Sequence, residues 1–285
     1  MAFTTLIDAT TLASHLGDPN VVIVDCRHTL ADFSAGRRMY DEAHIPGAFF
    51  ADVERELSGA KTGSNGRHPL PDPHAFAAFL RGLGVSDTTQ IVAYDAGADM
   101  FAARLWMMCR WIGHDAVAVL DGGIAAWNAA GLPTTADVTA PRTAGTLGVT
   151  LHGEALVDAA YVLAHLASGD SRVVDARGAD RFAGQNETMD PVAGHIPGAR
   201  NRPFKENFGA DLRFKSPEAL RADFARFGDP ETIVHQCGSG VSASANMLAM
   251  EIAGLHGSRI YAGSWSEWVA DPSRPVETGP AAAHE

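Results

Sequence analysis

Four short blocks of this 285-residue chain occur twice, in the same order. VVIVDCR at 21–27 returns as SRVVDAR at 171–177, and HIPGA at 44–48 returns at 195–199. QIVAYD at 90–95 aligns with TIVHQC at 232–237, and DGGIAAW at 121–127 aligns with AGSWSEW at 262–268. The offset between copies drifts by no more than ten residues, from 151 down to 141. Ordered self-similarity of this kind restricts the possible folds more than any local propensity does. It implies one fold, duplicated, and 285 residues suffice for two domains that each bury a core.

Each copy reads as α/β. DATTLASHLG predicts a helix with Asp8 at its N-cap and Gly17 at its end. VVIVD, QIVAY and AVAVLD are short, continuously apolar runs, the pattern of strands in a parallel sheet covered on both faces. Between them, PDPHAFAAFLRGLG, the segment from about Met100 to Ile112, and GIAAWNAAG read as helices. The second copy repeats the pattern, with helices predicted around 154–168, 217–227 and 241–253 and strands at 172–175, 232–236 and 258–261. Strand–helix alternation implies right-handed crossovers and a mostly parallel sheet with helices on both faces. The stretch 136–149, rich in Thr, Ala, Gly and Pro, has neither period and is expected to be a linker. The expected domains are therefore 1–135 and 150–285.

A formal charge of −12 argues against nucleic acid or an anionic membrane surface as partner. No apolar run approaches the length of a membrane span, and the N-terminus lacks the basic start and apolar core of a signal peptide. The three cysteines, Cys26, Cys109 and Cys237, are widely spaced and suggest no disulfide framework. A cytoplasmic location is expected, and no metal-ligand spacing or cofactor motif is visible.

The chemistry-bearing segment is IVHQCGSGVSASANMLAMEIAG. A buried strand ends, Cys237 follows at once, and Gly238 and Gly240 lead into a helix that begins near Val241. Beyond the carboxyl end of such a strand is where open α/β sheets bind ligands. Glycines permit a tight loop whose N–H groups face inward as an anion nest, and the following helix adds its positive end. These features are expected to favour thiolate at Cys237, the nucleophilic form. A buried strand-capping cysteine would be equally ordinary in isolation. The duplication argues otherwise, because the first copy carries Asp95 here and lacks the glycine-flanked thiol.

Taken in order, V-D-x-R, G-H-I-P-G-A, the C-x-x-G-V-[ST]-A loop and the closing G-S-W-x-E-W span essentially the whole chain. In these motifs the chain resembles the tandem-domain sulfurtransferases, which comprise thiosulfate sulfurtransferase (rhodanese) and 3-mercaptopyruvate sulfurtransferase. The resemblance implies two rhodanese-like domains, the N-terminal one catalytically silent and the C-terminal one carrying a persulfide-forming cysteine. The loop Cys237-Gly238-Ser239-Gly240-Val241-Ser242 looks like that of the mercaptopyruvate branch, since the rhodanese branch places two basic residues after the cysteine. A dianionic thiosulfate gains from cations in the loop, whereas mercaptopyruvate carries a remote carboxylate and a thiol. A neutral loop then suffices, and the Ser239 hydroxyl could relay a proton.

The family's substrate arginine lies in D-A-R-x-x-x-R-[FY], which implies that Arg181 binds the donor anion. Asp175 and Arg177 are expected to support the strand end as an ion pair, and His68, in H-P-L-P, resembles a family position near the active site. Two departures stand out: Asp190 occupies the place of a second arginine found in mercaptopyruvate enzymes, and Ser242 replaces the loop's usual threonine. His44 and His195 occur in both copies and are read as structural; Cys26, Cys109, Trp265 and Trp268 are read as packed. The implied reaction passes sulfur from a small donor to a thiophilic acceptor such as cyanide, a small thiol or thioredoxin, with no cofactor. A cysteine phosphatase would need Cys-x5-Arg, and the sixth residue after Cys237 is Ala243. The remaining alternatives are thiosulfate as donor and a non-enzymatic sulfur-carrying module.

Overall fold

The computed structural model describes residues 2–166, 168 and 170–280. They fall into two compact units. The first comprises the chain up to Gly59, Pro71–His152 and Phe208–Phe214; the second comprises Ala60–Leu70, Gly153–Asn207 and Lys215 onward. Each unit therefore includes a short segment from the other repeat's stretch of sequence.

In the first unit the elements are β1 (Leu6–Ile7), α1 (Ala9–Ala13), β2 (Val21–Asp25), α2 (Ala35–Glu42), β3 (Phe49–Phe50), α3 (Pro73–Gly82), β4 (Gln90–Tyr94), α4 (Phe101–Trp111), β5 (Val117–Leu120) and α5 (Gly123–Ala129). In the second they are β6 (Leu156–Val157), α6 (Ala159–His165), β7 (Arg172–Asp175), α7 (Ala179–Phe182), β8 (Arg200–Asn201), α8 (Pro217–Ala225), β9 (Ile233–Gln236), α9 (Val241–Ile252), β10 (Arg259–Tyr261) and α10 (Ser264–Trp268). The sheets run β1-β5-β4-β2-β3 and β6-β10-β9-β7-β8, the same order twice, and every strand pair is parallel. The α/β class and its duplication stand as the sequence indicated.

Local chemistry accounts for the helix ends. Asp8, Asp158 and Ser216 accept from the third backbone N–H onward, while Asp72 accepts from His74 and Ala75, with Pro73 and Pro217 opening their helices. The helix expected around 154–168 is shorter: a 3-10 turn at Gly153–Ala155 and the edge strand β6 precede it. Residue 167 of that expectation lies outside the described residues. The edge strands, two residues each, are too short to leave a period in the sequence. Helix α4 is buried along almost its whole length rather than on one face. The 136–149 stretch has no helix or strand, yet it is laid down firmly. Gly145 N–H donates to Arg81 O at 2.8 Å, Arg81 Nη1 donates to Leu147 O at 2.8 Å, and Leu147 is buried.

Each unit has its own core, one around Val92, Tyr94 and Trp127 and the other around Val234, Trp265 and Trp268. The central strand of the second core also holds His235, wholly buried beside Phe224, with neither ring nitrogen hydrogen-bonded among the described residues. Burial, aided by the nearby Arg202 charge, pushes its pKa down from 6.5 to about 3. The folded ring stays neutral while the unfolded chain takes up a proton below 6.5, so stability falls as pH drops through that window. One proton of difference corresponds to ~1.4 kcal/mol per pH unit. His235→Leu is expected to flatten the slope of unfolding free energy against pH by about that amount between about pH 4 and 6. Urea denaturation series across that range measure it, and an unaltered slope contradicts the prediction.

Candidate active site

Strand register sets where the reactive thiol stands. Asp175 on β7 is level with Gln236 on β9, so Cys237 is the first residue beyond the carboxyl edge of the second sheet. The N-terminal turn of α10 holds the loop from behind. Cys237 N–H donates to Ser264 Oγ at 3.1 Å, Trp265 N–H to Cys237 O at 3.0 Å, and Ser266 N–H to Gly238 O at 2.9 Å. Ser264 accepts this role at a left-handed φ of +55°, a conformation uncommon for a residue with a side chain. Gly240 is required twice over: its φ is +80°, and a Cβ there would lie 2.2 Å from Ala262 O. With that geometry Gly240 N–H donates to Cys237 Sγ at 3.1 Å. Helix α9 follows immediately, with Val241 and Ser242 buried in its first turn and Cys237 only 2% exposed. The loop thus aims a backbone donor and the positive end of a twelve-residue helix at the sulfur.

Two guanidinium groups converge on the same loop. A Cβ on Gly238 would lie 2.7 Å from Arg67 Nη2 and 3.6 Å from Arg181 Nη2. Arg181 donates to Glu187 through Nε at 3.0 Å and Nη2 at 2.9 Å, and Nη2 also reaches Asp190 at 3.3 Å. Asp190 accepts a further bond from Arg67 Nη1. Burial pushes the Glu187 carboxyl upward, but N–H donation from Met189 and the Arg181 contact outweigh it and hold the group below its ordinary range. Asp190, which replaces an expected arginine, thus ties two arginines together.

His68 is buried, and its Nδ1 stands 2.7 Å from Ser239 Oγ. Asp175 and Arg177, both buried, form a forked pair with Nε and Nη2 at 2.7–3.1 Å from the carboxylate, and Arg177 also donates to Gly194 O. The structure therefore brings Cys237, Gly238, Ser239, Gly240, Arg181 and His68 together, with Asp175 and Arg177 behind them. Arg67 was missed by sequence reasoning, although it adjoins His68 in GRHPLP; nothing in the sequence assigns 60–70 to the second unit. Asp190 was noticed only as a departure.

The corresponding position of the first unit is a different place. Asp95 accepts from Gly97 and Ala102 N–H at 3.0 Å, and burial raises its pKa. Phe208 and Phe214 line the cleft over it, leaving only about 10 Å³. His44 and His195 each pair with a backbone carbonyl through Nδ1, and Trp265 and Trp268 are buried with their indole N–H groups on backbone carbonyls. Cys26 and Cys109 are fully buried, and desolvation pushes both thiols upward. Ala243, at the place of a phosphatase arginine, is buried in α9.

The family model for the rhodanese-like domain matches residues 8–130 and 158–271. A Pseudomonas aeruginosa protein named "Probable 3-mercaptopyruvate sulfurtransferase" is 46% identical over 284 residues, covering 98% of this chain and 100% of that protein. The thiosulfate sulfurtransferase of Cricetulus griseus is 34% identical, over 92% of this chain and 90% of its own. Among solved structures, SseA from Escherichia coli, a 3-mercaptopyruvate sulfotransferase of the rhodanese fold, matches with a TM-score of 0.80 at 33% identity, over 92% of this chain and 99% of that one. With its duplicated sheet, its glycine-bound cysteine loop in the second copy only, and these full-length likenesses, the chain belongs to the rhodanese-like domain family.

Proposed function

We propose that the protein is a sulfurtransferase that takes sulfur from 3-mercaptopyruvate and passes it, as a Cys237 persulfide, to a thiophilic acceptor. The observation that carries this reading is the neutral loop: Cys237 Sγ receives the Gly240 N–H at 3.1 Å, and no cationic residue lies within the loop's own sequence. The likeness to relatives bearing that name supports it, and the thiosulfate sulfurtransferases among the relatives supply the alternative donor.

The Cys237 thiolate attacks the donor's thiol sulfur, a sulfur–sulfur bond forms, and the sulfur–carbon bond breaks. Its electron pair goes to the donor's methylene carbon, leaving the enolate of pyruvate, and the thiol proton ends on that carbon. Cysteine persulfide and pyruvate are the products: the donor's carbon is reduced by the electron pair that its sulfur gives up, so no external oxidant is needed. Ser239, in contact with His68, stands where it can carry that proton. Arg181 would hold the donor carboxylate at the far end. A thiol acceptor, including the dithiol of thioredoxin, or cyanide, then attacks the outer sulfur and restores the thiolate.

Side-by-side steady-state assays with cyanide as acceptor test the donor. The expected result is a kcat/KM for 3-mercaptopyruvate at least about tenfold above that for thiosulfate, a difference of ~1.4 kcal/mol. The reverse order makes the protein a thiosulfate sulfurtransferase, and turnover with neither leaves the sulfur-carrying module.

A further inference from the structure

At the amino edge of the second sheet, Arg172 opens β7 and Arg200 opens β8. The length of β7, about 13 Å, separates that edge from the carboxyl edge where Cys237 stands. Register sets Arg200 beside Val174, as it sets Phe49 beside Val24 in the first copy. The first copy therefore carries Val22 and Phe49 where the second carries Arg172 and Arg200. Two apolar positions of one copy are cationic in the other.

Both arginines line a cavity of about 310 Å³, together with Tyr161 and His165 of α6 and the apolar Val173 and Val234. Each donates through Nη1 to a main-chain carbonyl at the end of α8, Arg172 to Phe227 O at 2.7 Å and Arg200 to Arg226 O at 2.9 Å. Neither has a carboxylate partner among the described residues. Burial, and after it the Arg172 charge, push the Arg200 pKa down, so the two like charges oppose each other across a partly desolvated space. A third guanidinium, that of Arg259, lies 4.8 Å from the centre of the Tyr161 ring. Glu277, which accepts from Gly198 N–H at the cavity lining, is shared with His195.

We propose that this cavity binds a small organic dianion of the phosphomonoester class, its charge between Arg172 and Arg200 and its apolar body against Val173 and Val234. The site is separate from the cysteine loop and does not rest on the choice of sulfur donor. Guanidinium forks suit the oxygens of a phosphate, and two cations are balanced by two negative charges, not by one. A bare oxyanion would leave most of the cavity and its valines uncovered. A chain of net charge −12 repels anions at long range, so uncompensated local cations are what such a ligand requires.

Valine-methyl NMR spectra of the protein titrated with phenyl phosphate test the site directly. The Val173 and Val234 signals should shift and saturate with a dissociation constant below about 1 mM. Benzoate, with one charge, and inorganic phosphate, without the ring, should each bind at least about fivefold more weakly. Arg200→Met should weaken phenyl phosphate by about tenfold or more, the loss of a contact to a charged group. Its sulfur-transfer turnover should stay within about twofold of native, since Arg200 stands at the edge away from Cys237. The ligand series on the native protein decides the matter even if the variant does not fold. Shifts confined to Val241, in the cysteine loop, would assign the anion to the catalytic site and overturn the proposal. No saturable shift, equal affinity for benzoate or inorganic phosphate, or undiminished binding to Arg200→Met would overturn it as well.

Discussion

Cys237→Ser is expected to lower turnover by at least about 10³-fold with any sulfur donor, because removing a nucleophile abolishes the covalent route rather than weakening it. A serine oxygen is close in size to the sulfur it replaces but can hold no persulfide. The native protein, mixed with donor and no acceptor, should gain the mass of one sulfur atom at Cys237, and the variant should gain none. Cys26 and Cys109 do not compensate, since both are fully buried and their thiols are pushed upward by desolvation. The variant should remain folded, with stability within about 1 kcal/mol of the native protein, because the substitution nearly conserves volume. Activity that survives the mutation would remove the persulfide from the mechanism. A lost mass shift with a lost fold would instead mark Cys237 as a packing residue.

The second large effect concerns stability. Asp175→Ala is expected to cost about 3–5 kcal/mol, because it leaves the Arg177 guanidinium buried without its charge partner. Arg177 is 1% exposed at its side chain and Asp175 is 0%. The same change removes the acceptor for Arg177 N–H, which caps the strand end at 2.9 Å. Thermal denaturation should report a fall on the order of 10 °C. The informative variant is the double change Asp175→Ala with Arg177→Met, which removes the orphaned charge and should recover part of the loss. If the double variant is no more stable than the single one, the cost lies in the lost packing and cap rather than in the charge. Glu187 lies 3.6 Å from Arg177 Nη1 and softens the single mutation, which favours the lower end of the range.

Much of this was legible in the residues. The ordered repeats VVIVDCR/SRVVDAR and HIPGA/HIPGA required two copies of one α/β fold, and five-stranded parallel sheets of identical order are what the chain forms. Continuous apolar runs such as QIVAY marked buried central strands, whose period is intrinsic to the strand and needs no partner to be seen. The pairs at the strand ends were legible for the same reason: Asp175 and Arg177 are two residues apart, and local spacing carries their geometry. The cysteine loop was readable because φ +80° at Gly240 leaves the sequence little choice but glycine.

The rest depended on contacts far apart in the chain. Edge strands of two residues owe their existence to pairing with a neighbour, so β1, β3, β6 and β8 left no pattern. Helix α4 is buried on every side because of what packs around it, not because of any face in its own sequence. Above all, the assignment of 60–70 to the second unit, and with it the meeting of Arg67 with Asp190 across 123 positions, follows from tertiary packing. The sequence by itself determined the duplicated fold, which copy bears the thiol and which bears Asp95 in its place, and the loop that presents Cys237. Only the tertiary structure decided which side chains surround that loop, because convergence of charged groups on one point is set by packing energy summed over the whole unit and has no local sequence signature.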